Sequence, residues 1–184
     1  MNTAPLPVLF VESYPQALAG QQETLSALLD RAEQSGIAAT VLAPGDGVFV
    51  ERLRARGQAV EIVPQPETIG AYGGAVYRYG PLRKVRMAFQ VLSYVGRLRR
   101  HLRARGFHAV FCNDMRGLLT VGLAARLAGV PVLIWDKLDK PHGLYDALQL
   151  PLASRNLMIA DGVARKYPAW QRRLWPGRMR VVRD

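Results

Sequence analysis

The chain is poor in cysteine, and its single thiol, Cys112, excludes a disulfide within the chain. A chain of this kind is typical of a reducing cytoplasm. The first residues lack the basic segment of a secretory signal and run at once into proline and glutamate, so no such signal is predicted. The longest apolar stretch, residues 118–135, is interrupted by Arg126 and Pro131, so no segment is expected to span a bilayer.

Nucleotide-binding fingerprints and metal-binding patterns are missing as well. Neither the G-x-G-x-x-G motif of dinucleotide-binding proteins nor the P-loop occurs, which argues against an NAD or ATP module. The histidines His101, His108 and His142 show no metal-ligand spacing with one another or with Cys112, so no metal site and no cofactor are expected. Cys112 is interpreted as a small core residue and His101 as an exposed member of a basic helix.

Positive charge is in clear excess. The 184 residues carry a formal net charge of +11, with a pI near 10.5, while 49% of them are hydrophobic, as in a globular domain. Such a balance indicates a polyanionic partner, which leaves nucleic acid, lipid head groups and phosphate-bearing substrates open. A genome of high GC content, which favours arginine codons, is the alternative explanation, so the position of the charges along the chain has to distinguish the two.

Short apolar runs alternate with segments of helical periodicity along the chain. This alternation predicts an α/β fold with a doubly wound, Rossmann-like parallel sheet, covered by helices on both faces. The segment 67–81, which is rich in glycine and tyrosine, is predicted to be a mobile loop. Strands are predicted at 8–12, 39–43, 60–63, 109–112, 132–135, 156–160 and 179–182, and helices around 25–32 and at 48–56, 82–105, 118–127, 144–152 and 162–175.

Ligands of such sheets bind beyond the carboxyl ends of the strands, so the loops at that edge hold the candidate site residues. Gly20, before the first long helix, could let a backbone approach a phosphate, or could simply allow a turn. Asn113 and Asp114 end one strand. One of them could instead cap the next helix, which is the alternative to a role in ligand binding. Asp136 and Lys137 end the next strand, and a lysine in that place caps nothing. The loop candidates as a whole are Gly20, Gln21, Asn113, Asp114 and His142 for ligand binding, and Asp136 and Lys137 for catalysis.

One predicted helix carries basic residues among bulky apolar ones, and no acidic residue occurs between Glu67 and Asp114. A helix of this kind can lie in an anionic membrane interface. The alternative is a core-facing helix with a solvated basic face. Nucleic acid is not expected as the partner, because no recognised nucleic-acid-binding motif is present. The candidate membrane-binding residues are Arg83, Lys84, Arg86, Arg97, Arg99, Arg100 and Arg103.

In sum, the ordered segments resemble the N-terminal domain of retaining GT-B glycosyltransferases of the family 4 type. The segments that carry the resemblance are VLFVESYPQALAGQQETLSALL, IAATVLAPGDGVFVERLRARGQAVEIVPQP, FHAVFCNDMRGLLTVGLAARLAGVPVLIW and NLMIADGVARKYPAWQ. The chain departs from the family in three places. Ala19-Gly20 stands for paired glycines, Asp161 for a serine, and Asp136 or Lys137 for a histidine.

The resemblance implies one acceptor-side domain over 1–184, with the donor-binding C-terminal domain in a missing part of the protein or in a partner subunit. It further implies transfer of a sugar from a nucleotide-sugar donor to a glycan or lipid-linked acceptor at an anionic membrane surface. The expected location is the cytoplasm, on the inner face of the cell membrane, and the isolated domain is expected to be inactive. Two alternatives stay open: half of a nucleotide-sugar epimerase, and a non-catalytic module that binds a membrane or another polyanion.

Overall fold

A computed structural model describes residues 4–70, 79–137 and 144–182. At its centre is a sheet of seven strands in the order β3-β2-β1-β4-β5-β6-β7, and every neighbouring pair is parallel. The predicted Rossmann-like α/β class is therefore confirmed. The strands are β1 (Leu6–Val11), β2 (Ile37–Ala43), β3 (Ala59–Ile62), β4 (Ala109–Cys112), β5 (Val132–Asp136), β6 (Arg155–Met158) and β7 (Met179–Val181).

Helices connect the strands and cover both faces of the sheet. The long helix ends at Gly106, whose φ of 65° is a left-handed conformation that glycine adopts without strain. The helices are α1 (Gly20–Ala32), α2 (Val48–Ala55), α3 (Glu67–Gly70), α4 (Pro81–Arg105), α5 (Met115–Gly117), α6 (Leu123–Ala128), α7 (Leu144–Leu152) and α8 (Ala169–Leu174). A π-helical segment, Leu118–Gly122, joins α5 to α6, and 3₁₀ turns lie at Glu33–Ser35, Asp161–Lys166 and Pro176–Arg178.

The alternation of side chains along the strands divides the core into two layers. Leu9 and Val11 of β1 point to one face, where they pack in a cluster with Leu98 of α4. Phe10 points to the other face and packs with Leu25 of α1 and with residues of α2. Both layers are apolar because a parallel sheet that is covered on both faces buries successive residues of every central strand.

Two predictions of secondary structure need correction. The helix predicted over 162–175 is wrong, because the structure has a 3₁₀ turn, Asp161–Lys166, and then a separate α8. Tyr167 breaks the segment in an extended conformation, as expected for a residue that precedes a proline, here Pro168. The predicted loop 67–81 begins with the short helix α3, and its residues 71–78 lie outside the described residues.

Helix α4 has two halves with different surroundings. Its C-terminal half packs on the sheet through Tyr94, Val95, Leu98 and Leu102, which are all buried. His101, predicted to be exposed, is instead half-buried and lies 2.6 Å from the Glu61 carboxylate.

The N-terminal half of α4 projects from the body of the domain. Leu82 is 83% exposed and Phe89 is 70% exposed. In the described part of the chain, no helix combines the length and the apolar character needed to cross a membrane.

Candidate functional site

The order of the strands reverses between β1 and β4, and this switch point is where open α/β sheets form a ligand crevice. Glu12 and Ser13 follow β1, while Asn113 and Asp114 follow β4. These four residues therefore meet at the carboxyl edge of the sheet. The start of α1 and the end of β5 flank them and add Gln21, Gln22 and Lys137. We call these seven residues the crevice cluster.

Glu12 lies at the centre of the crevice cluster and is fully buried. Its carboxylate accepts hydrogen bonds from the Tyr14 backbone N–H at 2.8 Å, from Gln22 Nε2 at 3.0 Å and from Asn113 Nδ2 at 2.9 Å. A buried carboxylate requires such donors, because burial without them would be very costly. Sequence reasoning missed Glu12, although a charged residue directly after an apolar strand was a usable signal.

Asp114 combines a structural role with a position in the crevice. Its Oδ1 accepts from the Gly117 backbone N–H at 2.8 Å and from Ser13 Oγ at 2.9 Å, so it caps α5 and ties that helix to the end of β1. The capping alternative is thereby confirmed. Burial raises the pKa of Asp114 to about 6, and the charge of Glu12 acts in the same direction, whereas these hydrogen bonds oppose the shift.

Lys137 is held at the edge of the crevice cluster by the end of β4. Its Nζ donates to Asn113 Oδ1 at 2.8 Å and lies 5.3 Å from the centre of the Trp135 ring. Partial burial lowers the pKa of Lys137, while the charges of Glu12 and Asp114 act in the opposite direction. The structure thus brings Lys137 together with the predicted ligand-binding residues.

Asp136 lies in a different environment, although it is the neighbour of Lys137. Its carboxylate is 2.5 Å from Lys166 Nζ and accepts a hydrogen bond from the hydroxyl of Tyr167. The same hydroxyl accepts from Asn156 Nδ2 at 3.0 Å. Burial raises the pKa of Tyr167, as does the negative charge of Asp136, so the hydroxyl stays a donor. The catalytic role predicted for Asp136 stays a prediction.

The remaining loop candidates are placed as follows. Gly20 is the first residue of α1, and a Cβ there would meet nothing within 4 Å, so no close contact requires glycine. Gln21 reaches towards the carboxylates of Glu12 at 3.4 Å and Asp114 at 3.5 Å. His142 lies outside the described residues.

The basic residues of α4 separate into two groups. In the C-terminal half, Arg97 donates to the carbonyl of Pro64 at 3.2 Å and Arg99 to that of Leu127 at 3.0 Å, so these two brace the helix. In the exposed N-terminal half, Arg83 and Arg86 line a groove of about 540 Å³ between α3 and α4.

Comparisons with known proteins concern the fold. No family model and no curated protein matches the chain. Among solved structures, MurG of Acinetobacter baumannii gives a TM-score of 0.62 at 21% identity, over 90% of this chain and 43% of that one. Anabaena Alr3699/HepE in complex with UDP-glucose gives 0.63 at 15% identity, over 97% and 43%. The lipopolysaccharide outer core galactosyltransferase WaaB, in its apo form, gives 0.64 at 13% identity, over 97% and 46%.

The chain spans less than half the length of each of these structures. At such low identity the likeness shows the fold, which is that of a GT-B half-domain. The geometry of the crevice cluster adds a chemical property of this chain itself. Two carboxylates, one ammonium group and three side-chain amides converge there. Glu12, Asn113 and Gln22 are buried and bond to one another, while Gln21, Asp114 and Lys137 are only partly buried and can form hydrogen bonds to a polyhydroxylated ligand.

Proposed function

We propose that this chain is the acceptor-side, N-terminal half of a retaining GT-B glycosyltransferase of the family 4 type. It would transfer a sugar from a nucleotide-sugar donor to a glycan or lipid-linked acceptor at a membrane surface. One observation carries the proposal: the crevice cluster lies at the switch point of a sheet with the fold of a GT-B half-domain. HepE, which shares this fold, was solved with UDP-glucose, and that complex supports a nucleotide sugar as the donor.

The charge of the crevice cluster favours the acceptor over the donor as its ligand. Glu12 and Asp114 are formally negative and Lys137 is positive, which leaves a formal charge of −1 for the cluster. A diphosphate would be repelled by that balance, whereas sugar hydroxyls can donate to carboxylates and amide oxygens. The donor phosphates would then be held by a second domain or by a partner subunit, and the isolated half would be inactive.

Lys137 is the catalytic candidate that reaches the crevice in this proposal. An ammonium group there would donate a hydrogen bond to the acceptor and hold its attacking hydroxyl in place, because a fixed geometry of the reacting groups lowers the barrier to transfer. Asp136 would act indirectly, since its bonds to Lys166 and Tyr167 fix the end of the strand that presents Lys137. No cofactor is invoked for this reaction.

The surface of α4 supports action at a membrane. Its projecting half exposes Leu82 and Phe89 beside Arg83 and Arg86, and such a surface suits the interface of an anionic bilayer. The proposed location is the cytoplasmic side of the cell membrane. A helix that only solvates its basic face would not need these exposed apolar side chains.

The decisive experiment uses the native gene product, purified from its own cells with any partner subunit. Radiolabelled nucleotide sugars would be offered with lipid extract from the same cells, and label that enters the lipid or glycan fraction would be counted. The wild type is expected to transfer label from at least one donor, and Lys137→Met to lose most of that activity. Arg31→Gln, an exposed change in the last turn of α1 and away from both the crevice cluster and α4, is the matched control and is expected to retain it. If no donor gives transfer of label, the proposed glycosyltransferase activity is contradicted. If Lys137→Met keeps full activity, the proposed role of Lys137 is contradicted.

A nucleotide-sugar epimerase is the second candidate, and one observation favours it. A putative UDP-N-acetylglucosamine 2-epimerase from Listeria monocytogenes shares the fold with a TM-score of 0.59 at 9% identity. An epimerase would convert the free nucleotide sugar without any acceptor. The two candidates therefore separate when the nucleotide sugar is incubated with the protein alone and analysed for an epimer.

A further inference from the structure

Three arginines lie at the amino edge of the sheet, opposite to the crevice cluster. Arg155 is the first residue of β6, and Arg178 directly precedes β7. Arg126 lies in the last turn of α6, a helix that runs from the end of β4 back towards the start of β5. Because all strands are parallel, these three positions lie at the edge where the strands begin. We call them the amino-edge arginines.

Arg178 is held in place by the end of α7. Its Nη1 donates to the carbonyls of Leu150 at 2.7 Å, Pro151 at 3.1 Å and Ala153 at 3.3 Å. Its guanidinium carbon lies 5.2 Å from the centre of the Trp175 ring. Within the described part of the chain, all hydrogen bonds of this guanidinium group come from Nη1. One corner of the group is therefore fixed, while its other N–H groups remain for a ligand.

The other two arginines act on Arg178 as like charges. Arg155 Nη1 donates to the carbonyl of Ser154 at 3.0 Å, next in sequence to the Ala153 carbonyl that Arg178 uses. Burial lowers the pKa of Arg178, and the charges of Arg126 and Arg155 lower it further. Across the described residues, none of the three arginines forms an ion pair. The structure thus holds three interacting positive charges together without a carboxylate of its own.

Helix geometry accounts for only part of this arrangement. A cation is favourable in the last turn of a helix, which suits Arg126, and Arg178 binds the carbonyls at the end of α7. Arg155, at the start of a strand, has neither role. Like charges that interact without a counterion raise the energy of the folded state. An anion that all three share would lower that energy and so stabilise the fold when it binds.

We propose that the amino-edge arginines bind a diphosphate group, either as free pyrophosphate or as part of a nucleotide. The planar fork of arginine donates two parallel hydrogen bonds to phosphate oxygens. Arg99 adds a fourth positive charge nearby, because it donates to the carbonyl of Leu127, the neighbour of Arg126. So many positive charges suit a multiply charged anion better than a single carboxylate. The site is separate from the crevice cluster, so this inference goes beyond the proposed function and does not depend on it.

Thermal unfolding in pyrophosphate tests the site without any assay of sugar transfer. The purified protein would be heated in low-salt buffer with pyrophosphate, with ADP, or with sodium chloride at the same ionic strength. With pyrophosphate at about ten times its dissociation constant, the wild type is expected to unfold about 3–6 °C higher than in matched chloride. An equal shift with ADP identifies the diphosphate as the recognised group, and a larger shift identifies a nucleotide as its source.

Arg155→Gln is the informative variant, because it removes one of the three charges but no contact to a helix end. It is expected to bind pyrophosphate about tenfold more weakly in titration calorimetry. In chloride it is expected to unfold at the wild-type temperature or above, since the substitution relieves repulsion. Arg31→Gln is the matched control, an exposed change in the last turn of α1, which packs on the other face of the sheet from α6. This control is expected to keep the full wild-type shift.

Two results would overturn the inference directly. One is an unfolding temperature that pyrophosphate raises no further than matched chloride does, and the other is a full wild-type shift in Arg155→Gln. A shift with polyglutamate but none with pyrophosphate would also overturn it, because the arginines would then bind an acidic protein segment. Since none of these measurements involves the crevice cluster, failure here leaves the proposed sugar transfer standing.

Discussion

Lys137 donates a hydrogen bond from Nζ to Oδ1 of Asn113 at 2.8 Å, and this contact joins the end of β5 to the end of β4. Asn113 can offer its oxygen to Lys137 because its Nδ2 is engaged by Glu12 at 2.9 Å. Glu12 thus fixes which way the Asn113 amide faces. The position of the catalytic candidate therefore depends on a carboxylate that it does not touch.

Replacement of Glu12 by glutamine tests this dependence. The new Nε2 group would face donors of Tyr14, Gln22 or Asn113, so at least one hydrogen bond to the former carboxylate is lost and a buried donor is left unpaired. We expect the free energy of unfolding to fall by about 2–4 kcal/mol, as is usual for buried bonds to a charged group. Urea denaturation monitored by circular dichroism measures the change.

Glu23→Gln is the matched control for this substitution. Glu23 lies on α1 and forms an ion pair with Arg52 at 2.5 Å, but both side chains are about half exposed. An exposed pair of this kind contributes less than about 1 kcal/mol. Equal losses in the two variants would contradict the central role of Glu12.

The fold was largely predictable from sequence, because its signals are local. Apolar runs of four to seven residues, such as the one that became β4, stop at polar or turn residues, and glycines end the helices. The prediction of a helix over 162–175 was wrong, and Pro168 in the sequence already indicated an interruption of that helix. A proline inside an apparently helical pattern favours an extended residue before it.

The site was predictable only in part, because its geometry depends on contacts between distant segments. Asn113, Asp114 and Lys137 were predicted as site residues because ligands of such sheets bind beyond the carboxyl ends of the strands, and the structure places the three together. It could not show that Asp136, one residue earlier, points to Lys166 and Tyr167 instead. Alternation along a strand sends neighbours to opposite faces, and the partners on each face are not visible in the sequence.

The buried hydroxyl of Tyr167 gives a second prediction. Tyr167→Phe removes a donor from the Asp136 carboxylate and an acceptor from Asn156, so the free energy of unfolding is expected to fall by about 2–3 kcal/mol. Tyr94→Phe serves as the comparison, because the Tyr94 hydroxyl donates only to the neutral carbonyl of Val63 at 3.1 Å. That variant should lose about 1 kcal/mol. A smaller loss for Tyr167→Phe than for Tyr94→Phe in thermal unfolding would show that the bond to Asp136 is not stabilising.

Replacement by alanine at two helical glycines is predicted to change the stability of the protein in opposite directions. A Cβ on Gly122, in the π-helical segment, would lie 2.9 Å from Leu118 Cδ1 and 3.3 Å from Cys112 Sγ. Gly122→Ala is therefore expected to lower the stability by about 1–3 kcal/mol through overpacking. A Cβ on Gly96, inside α4, would meet nothing within 4 Å, so Gly96→Ala should raise the stability by about 0.5–1 kcal/mol. Scanning calorimetry of both variants measures the pair, and a shift of the same sign in both would refute the packing argument.

Asp114 is expected to make the stability depend on pH in a defined window. Its native pKa of about 6 is above its ordinary value of 3.8, so the native state takes up a proton at a higher pH than the unfolded state does. The stabilisation that follows is complete below pH 3.8 and is lost as the pH rises through 6. The two pKa values differ by about 2, which corresponds to about 3 kcal/mol at most.

Asp114→Asn removes this titration and supplies the reference. Relative to the variant, the wild type is expected to gain stability as the pH falls from about 7 to about 4, and urea denaturation of both proteins at several pH values measures the difference. Titration of the Asp114 carboxyl carbon by NMR gives an independent value for its pKa. A constant difference between the two proteins, with an NMR midpoint near 3.8, would mean that the hydrogen bonds from Ser13 and Gly117 fully offset the effect of burial on the pKa.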